Sequence, residues 1–237
     1  MLQGGILAFQ ISPEDRTGSV HCDRIAAFCA RAQSGSLPES IEWTWEVRPE
    51  KPLPALPNVL LIGDSITRAY FPQVQKDLED VANVYLMATS ASIGDPRLPL
   101  QITEFVKMER VNFRVVHFNN GMHGWAYTEA QYRAGFPSFL HAIRRISAHP
   151  LLIWATTTPV RADQSSGGSN ARIDERNRIA QSFVHEAGIT DDDQHALMMM
   201  HQDQHADNVH YNEAGAALMG DQVGSAIRQG LSKPKPQ

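Results

Sequence analysis

Cysteine is nearly absent: Cys22 and Cys29 are the two in a chain of 237 residues, too few for a disulfide framework to hold a fold. Cys29 falls in a stretch, 23–32, that reads as helical and Cys22 directly precedes it; on one helix their Cα atoms would stand about 10 Å apart, beyond the reach of a bridge. They read as free structural thiols. No run approaches the roughly 20 continuous apolar residues of a membrane span, so no such helix and no membrane partner are expected. Positive charge is not in excess either. Lys and Arg number 21 against 26 Asp and Glu, for a net charge of −5 with the signs interspersed, so the basic field that would recruit nucleic acid is missing. The opening Met1-Leu2-Gln3-Gly4-Gly5-Ile6-Leu7-Ala8-Phe9 carries no basic residue and its apolar run breaks at Gln10, which does not fit a signal peptide. The expectation is a soluble protein, cytoplasmic, or periplasmic or secreted if a leader has been removed.

What the chain does have is an alternation. From Asn58 onward, short apolar runs trade places with amphipathic stretches, the signature of repeated βα units. Strands are predicted over Asn58–Ile62, Asn83–Met87, Phe113–Phe118 and Leu151–Ala155, with a short fifth near Ala196–Met200. Helices are predicted over Thr67–Asp80, Leu98–Met108, Glu129–Ser147, Ser169–Ala187 and Asn212–Gln229; Phe136, Phe139, Leu140 and Ile143 show the helical spacing. The fold class is α/β, a three-layer α/β/α sandwich on a mainly parallel five-stranded sheet. Before Asn58 the pattern changes. Pro49, Pro52, Pro54 and Pro57 mark an extended connector, and Ile41–Val47 alternates like a half-buried strand. Residues 1–57 are therefore an N-terminal extension that packs on the core or on a second subunit, 58–230 the main domain, and 231–237 a disordered tail.

Two local patterns carry chemistry. Val59-Leu60-Leu61-Ile62 runs into Gly63-Asp64-Ser65, which sets a serine at the C-terminal edge of a strand, where parallel sheets present ligands. A serine hydroxyl is a weak nucleophile near neutral pH and needs a base within hydrogen-bond reach, itself held by a third group. Asp207-x-x-His210 supplies both residue types. The elbow of the α/β-hydrolase fold, Gly-x-Ser-x-Gly, does not fit, because position 67 is Thr.

These blocks resemble the GDSL, or SGNH, hydrolase family of esterases and lipases. The resemblance spans Asn58 to Gly215 and implies Ser65 as nucleophile with Asp207 and His210 completing the triad. It implies an oxyanion hole as well, from the Ser65 N–H, a glycine block and an asparagine block. Ser90-Ala91-Ser92-Ile93-Gly94-Asp95 resembles the glycine block, making Gly94 the expected donor with Ala91 as alternative. His117-Phe118-Asn119-Asn120-Gly121-Met122-His123-Gly124 departs from the family's Gly-x-Asn-Asp and is similar to a branch with Asn-Gly-x-His. Asn119 is taken as the side-chain donor, and Asn120 stands as the alternative. Asp64, Asn120, His123 and Thr157 are the candidates for lining the substrate pocket, and Asn177 reads as a buried structural hydrogen-bonder.

His201 and His205 have a spacing that suits zinc, but committing Asp207 and His210 to a metal would dismantle the triad, so neither metal nor organic cofactor is expected. The Asp191-Asp192-Asp193 run reads as a solvated loop. The implied reaction is hydrolysis of a small acyl ester, an acetyl group on a carbohydrate being favoured because the chain lacks a long apolar lid. A short-chain lipid or aryl esterase and an acyltransferase share the same chemistry. A catalytically silent carbohydrate-binding module, with Trp43, Trp45 and Trp125 as stacking platforms, is the alternative from another class. A homo-oligomer is compatible with the extension.

Overall fold

A computed structural model of the chain describes residues 35–233. The expected free thiols and the helix around them lie outside the described residues. Chain order is β1 (Thr44–Val47), β2 (Asn58–Gly63), α1 (Ser65–Asp77), β3 (Asn83–Thr89), α2 (Leu98–Glu109), β4 (Phe113–Phe118), α3 (Glu129–Arg144), β5 (Leu151–Ala155), α4 (Asn170–Glu186), β6 (Thr190–Asp192), α5 (Gln194–Met199) and α6 (Glu213–Ser232). The sheet has six strands in the order β1-β3-β2-β4-β5-β6. β1 is antiparallel to β3, and the other neighbours are parallel.

Burial on both faces explains the apolar runs. In β2, Val59 and Leu61 join the core beneath α1 and α6, while Leu60 and Ile62 join the opposite core with Ile102, Phe105, Phe136 and Phe139. A parallel strand covered by helices on both sides has no polar face to show. The result is the expected sandwich, and the order in which successive strands are added reverses at β2 and β4, so the C-terminal ends of those two parallel strands frame the crevice where open α/β sheets bind ligands.

Three expectations are corrected. The sheet has six strands and not five, because the half-buried strand before Asn58 pairs into it, with Trp45 opposite Ala88 and Val47 opposite Leu86. The final parallel strand is Thr190–Asp192, and Ala196–Met200 falls instead on α5 and its C-cap, started by the Asp193 side chain, which accepts from the Ala196 N–H. A polar strand survives burial here because the Asp192 carboxylate bonds His117 at 2.8 Å, Gln194 at 3.0 Å and Gln222 at 2.7 Å. Last, α6 continues through Ser232, past the start of the expected tail.

α1 and α6 lie side by side and run in the same direction. An added Cβ on Gly220 would stand 2.5 Å from the Gln73 Cβ, and one on Gly224 would stand 3.1 Å from the Asp77 Cβ. Helix backbones approach this closely where one side offers no side chain. Gly220→Ala sets a helix-propensity gain of about 0.5–1 kcal/mol against an overpacking cost of about 1–3 kcal/mol, because neither Gln73 Cβ nor the Tyr70 carbonyl can swing aside. The variant is expected to lose about 1–2 kcal/mol, read as a lower midpoint of thermal unfolding. An unchanged or higher midpoint would mean that the two helices have room to part.

Candidate active site

The turn from β2 into α1 exposes Ser65. Asp64 is the N-cap of α1, its Oδ1 accepting from the Ile66 N–H at 2.9 Å, and it is almost wholly buried. Its role is to start the helix. Ser65 is then the first helical residue, so its own N–H is one of the donors that a helix leaves unpaired, and the positive end of the helix dipole favours negative charge nearby.

The loop from α5 to α6 brings the other two groups. Ser65 Oγ lies 2.8 Å from His210 Nε2, and His210 Nδ1 lies 2.9 Å from Asp207 Oδ2. A carboxylate can only accept, so Nδ1 carries the proton and the neutral ring offers Nε2 to the serine hydroxyl. Desolvation raises the Asp207 carboxyl, but the N–H groups of His210 and Val209, both at 2.7 Å, and the imidazole outweigh it and bring the pKa down to about 2. Asp207 thus stays ionised and orients the ring. His210 and Asp207 retain 42% and 59% of their side-chain exposure, so the constellation is open to solvent.

The two asparagines after β4 point to different neighbours. Asn119 donates both amide hydrogens, to the Ala155 carbonyl at 2.7 Å and Thr157 Oγ1 at 3.1 Å, and it lines a small internal cavity with Thr67, Tyr70 and Gln194. Asn120 reaches the loop after β3. Its Oδ1 accepts from the Ile93 N–H at 3.0 Å and its Nδ2 donates to the Ala91 carbonyl at 2.7 Å, which fixes the amide's orientation and uses one of its two N–H bonds. The Gly94 N–H faces Ser92 Oγ at 3.2 Å, and an added Cβ on Gly94 would meet the Tyr127 ring at 2.6 Å. From the other side, α3 presses Gly135 so close that a Cβ there would stand 2.0 Å from the Ile93 carbonyl oxygen. The loop bearing Gly94 is therefore clamped.

The remaining candidates divide. Thr157 is buried; besides accepting from Asn119 it exchanges backbone hydrogen bonds with the Asn177 amide at 2.8 and 2.9 Å, so Asn177 is the expected strut. His123 Nδ1 lies 3.1 Å from both oxygens of Glu39, which also accepts from the Gly124 N–H at 2.9 Å. Burial raises the Glu39 carboxyl, but the bonds from His123 and Gly124 outweigh it and hold it below the usual range. Burial likewise opposes charge on His123, and Glu39, with Asp64 and Glu42 beyond it, wins and leaves its pKa raised. His205 stacks on Tyr211 at 4.2 Å and bonds the carbonyls of Gln202 and Pro159. Among the described residues, no three His, Cys, Asp or Glu side chains converge to hold a metal ion.

Sequence reasoning missed two supports. Arg176 is fully buried and donates to the carbonyls of Gly121, His123 and Gly124 at 2.7–3.0 Å while stacking on Trp125 at 4.1 Å. Burial lowers its pKa to about 10. It ties down the loop that carries Asn120 and His123, and the signal was present: Arg176 sits on the same helical stripe as Ile173, Ala180 and Val184. Glu39 gave no such signal, because its partners lie 84 and 85 residues away.

No family model matches the chain, and no curated protein matches it in sequence. Its likeness is to solved structures. A lipase/acylhydrolase from Enterococcus faecalis aligns with a TM-score of 0.60 at 20% identity, over 77% of this chain and 100% of that one. An acetyl xylan esterase aligns with a TM-score of 0.59 at 17% identity, over 72% and 99%. A GDSL-like lipase from Bacteroides thetaiotaomicron aligns with a TM-score of 0.59 at 14% identity, over 76% and 92%. The six-stranded sandwich, with Ser65 at its switch point, is thus the fold of the GDSL-like lipases and acylhydrolases.

Proposed function

We propose that the chain is a serine esterase that removes small acyl groups, acetyl above all, from a carbohydrate. The supporting observation is the unbroken hydrogen-bonded relay Ser65–His210–Asp207, at 2.8 and 2.9 Å. His210 takes the Ser65 proton as Oγ attacks the ester carbonyl, and the tetrahedral oxyanion forms between the Ser65 N–H, an asparagine amide and the Gly94 N–H, which must leave its 3.2 Å bond to Ser92 Oγ to reach it. His210 then passes the proton to the leaving alcohol. Water repeats both steps on the acyl-enzyme and releases the acid. Asn120 is the better candidate for the amide donor, since it has an N–H to spare and Asn119 has none.

The choice of acyl group follows from exposure. A relay this open buries little of a long chain, and each methylene left in water forgoes about 0.8 kcal/mol. The acetyl xylan esterase among the structural neighbours lends support to an acetyl ester on a sugar.

Ser65→Ala is expected to lower turnover of p-nitrophenyl acetate and of an acetylated oligosaccharide by several orders of magnitude while the protein stays folded by circular dichroism. A rate within tenfold of wild type would remove the nucleophile assignment, and a preference for decanoate over acetate would move the substrate to lipid esters. Asn120→Ala should cost roughly 10²- to 10³-fold in kcat. The same loss in Asn119→Ala, with Asn120→Ala near wild type, would return the donor role to Asn119. In the pH–rate profile, activity should decline on the acid side, because an imidazolium cannot accept the serine proton. The Asp207 carboxyl, its pKa brought down to about 2, stays ionised far into the acid range and does not set that decline. A flat acid limb with chemistry rate-limiting would exclude a histidine base.

A further inference from the structure

Resting on that esterase reading, we propose that Trp45 and Arg68, with the Trp43–His123 pair beside them, form a subsite for the sugar ring of the substrate's alcohol portion. Residues 43 and 45 are two apart on an extended strand, so their side chains share a face. Pairing continues through Trp43, whose N–H donates to Ser90 Oγ at 2.9 Å and whose carbonyl accepts from the Ser90 N–H at 3.1 Å. The shared face is that of α1: Trp45 is opposite Ala88, and Ala88 is opposite Gly63, two residues before Ser65. Two strand spacings, roughly 10 Å, separate the Trp45 backbone from that row.

Helix α1 closes the distance. Arg68 lies one turn after Ser65 on the same helical face, and its guanidinium carbon sits 4.5 Å from the centroid of the Trp45 ring. The indole is 50% exposed. Trp43 meets the His123 ring edge-on at 5.8 Å, and His123 Nε2 has no hydrogen-bond partner although the atom is buried. The Ser65 hydroxyl is thus flanked on the β1 side by aromatic surface interleaved with a guanidinium, an imidazole and the Glu39 carboxylate.

Aromatic faces beside donors and acceptors suit a ring with apolar C–H faces and equatorial hydroxyls, whereas an alkyl chain calls for continuous apolar lining. Trp125 is the contrasting case. Arg176 and Arg172 stack on it at 4.1 and 5.1 Å, and the Gly168 backbone packs against it. Two guanidiniums and a backbone segment thus occupy Trp125, whereas Trp45 carries one guanidinium and keeps half its surface exposed, so the stacking platform belongs to β1.

A purely structural reading makes Trp45 a cover for an edge strand, and the test must separate the two. The proteins are full-length wild type, Trp45→Ala, Trp45→Phe, Ser65→Ala and the double variant Ser65→Ala/Trp45→Ala. Calorimetric titration of Ser65→Ala with an unacetylated xylo-oligosaccharide should show binding that the double variant weakens about tenfold or more. In steady-state kinetics, Trp45→Ala should lose about tenfold more kcat/KM on an acetylated xylo-oligosaccharide than on p-nitrophenyl acetate, mostly through KM, and Trp45→Phe should recover most of it. Equal losses on both substrates, or a phenylalanine no better than alanine, would overturn the subsite. So would a Trp45 dependence confined to p-nitrophenyl decanoate. The two readings fail separately. Trp45-dependent glycan binding without serine-dependent turnover keeps the subsite and removes the esterase; serine-dependent turnover without Trp45-dependent glycan binding does the reverse.

Discussion

The close contact of α1 with α6 is the constraint on which the site depends. Ser65 begins α1 and His210 lies just ahead of α6, so a hydroxyl and an imidazole 145 positions apart in the chain meet at 2.8 Å. Gly220 and Gly224 let the two backbones approach, and because both helices leave the same sheet edge in the same direction, their N-terminal ends come together. Register follows from contacts farther down, where Gln73 bonds Asp221 at 2.7 Å and Arg228 donates to the Asp77 carbonyl. Two positive helix ends then face one crevice, a fixed field that favours an oxyanion over a neutral carbonyl.

The second half of the crevice is held by a different device. The loops after β3 and β4 contain the backbone and amide groups proposed as donors, and loops of this kind keep a geometry only when their polar groups are satisfied. Asn120 bridges the two loops from within, Gly135 presses on one from below, and Arg176 gathers three carbonyls of the other. A buried guanidinium is costly unless its donors are met, and here carbonyl oxygens meet those on both terminal nitrogens, while Nε has no hydrogen-bond partner and faces the Glu129 carboxylate at 3.6 Å.

The strands and helices with strong periodicity were legible because burial leaves little choice of residue. Phe113–Phe118 and Leu151–Ala155 fall where their apolar runs put them, and β1 showed its alternation even though its place in the sheet did not. β6 was hidden because what stabilises it is a hydrogen-bond network around Asp192, contributed by β4, α5 and α6, and no local pattern encodes that. The Gly-Asp-Ser and Asp-x-x-His segments stood out in the sequence, and the structure brings their Ser65, His210 and Asp207 side chains within hydrogen-bond distance of one another. Adjacent asparagines are the opposite case: Asn119 and Asn120 differ only in the direction that the chain takes as it leaves β4. Glu39 could not be read at all, since its meaning lies in a histidine and an amide far along the chain.

Openness is the property that joins these parts into one account of specificity. A nucleophile at the bottom of an apolar tunnel selects by burying the acyl chain, and ten carbons at about 0.8 kcal/mol each give such a tunnel ample leverage. Here the base and its carboxylate are half exposed, so the acyl side of a substrate finds little surface to bury and selection must come from the alcohol side. The surface available on the β1 side is made by Trp43, Trp45, Arg68, His123 and Glu39, a mixture of aromatic planes and charges. Stacking contributes modestly per ring, on the order of 1 kcal/mol, which is enough to orient a sugar without holding its product for long. In the esterase proposed for this chain, a shallow relay beside a polar aromatic wall would suit trimming small acyl groups from a large glycan that could never enter a closed pocket.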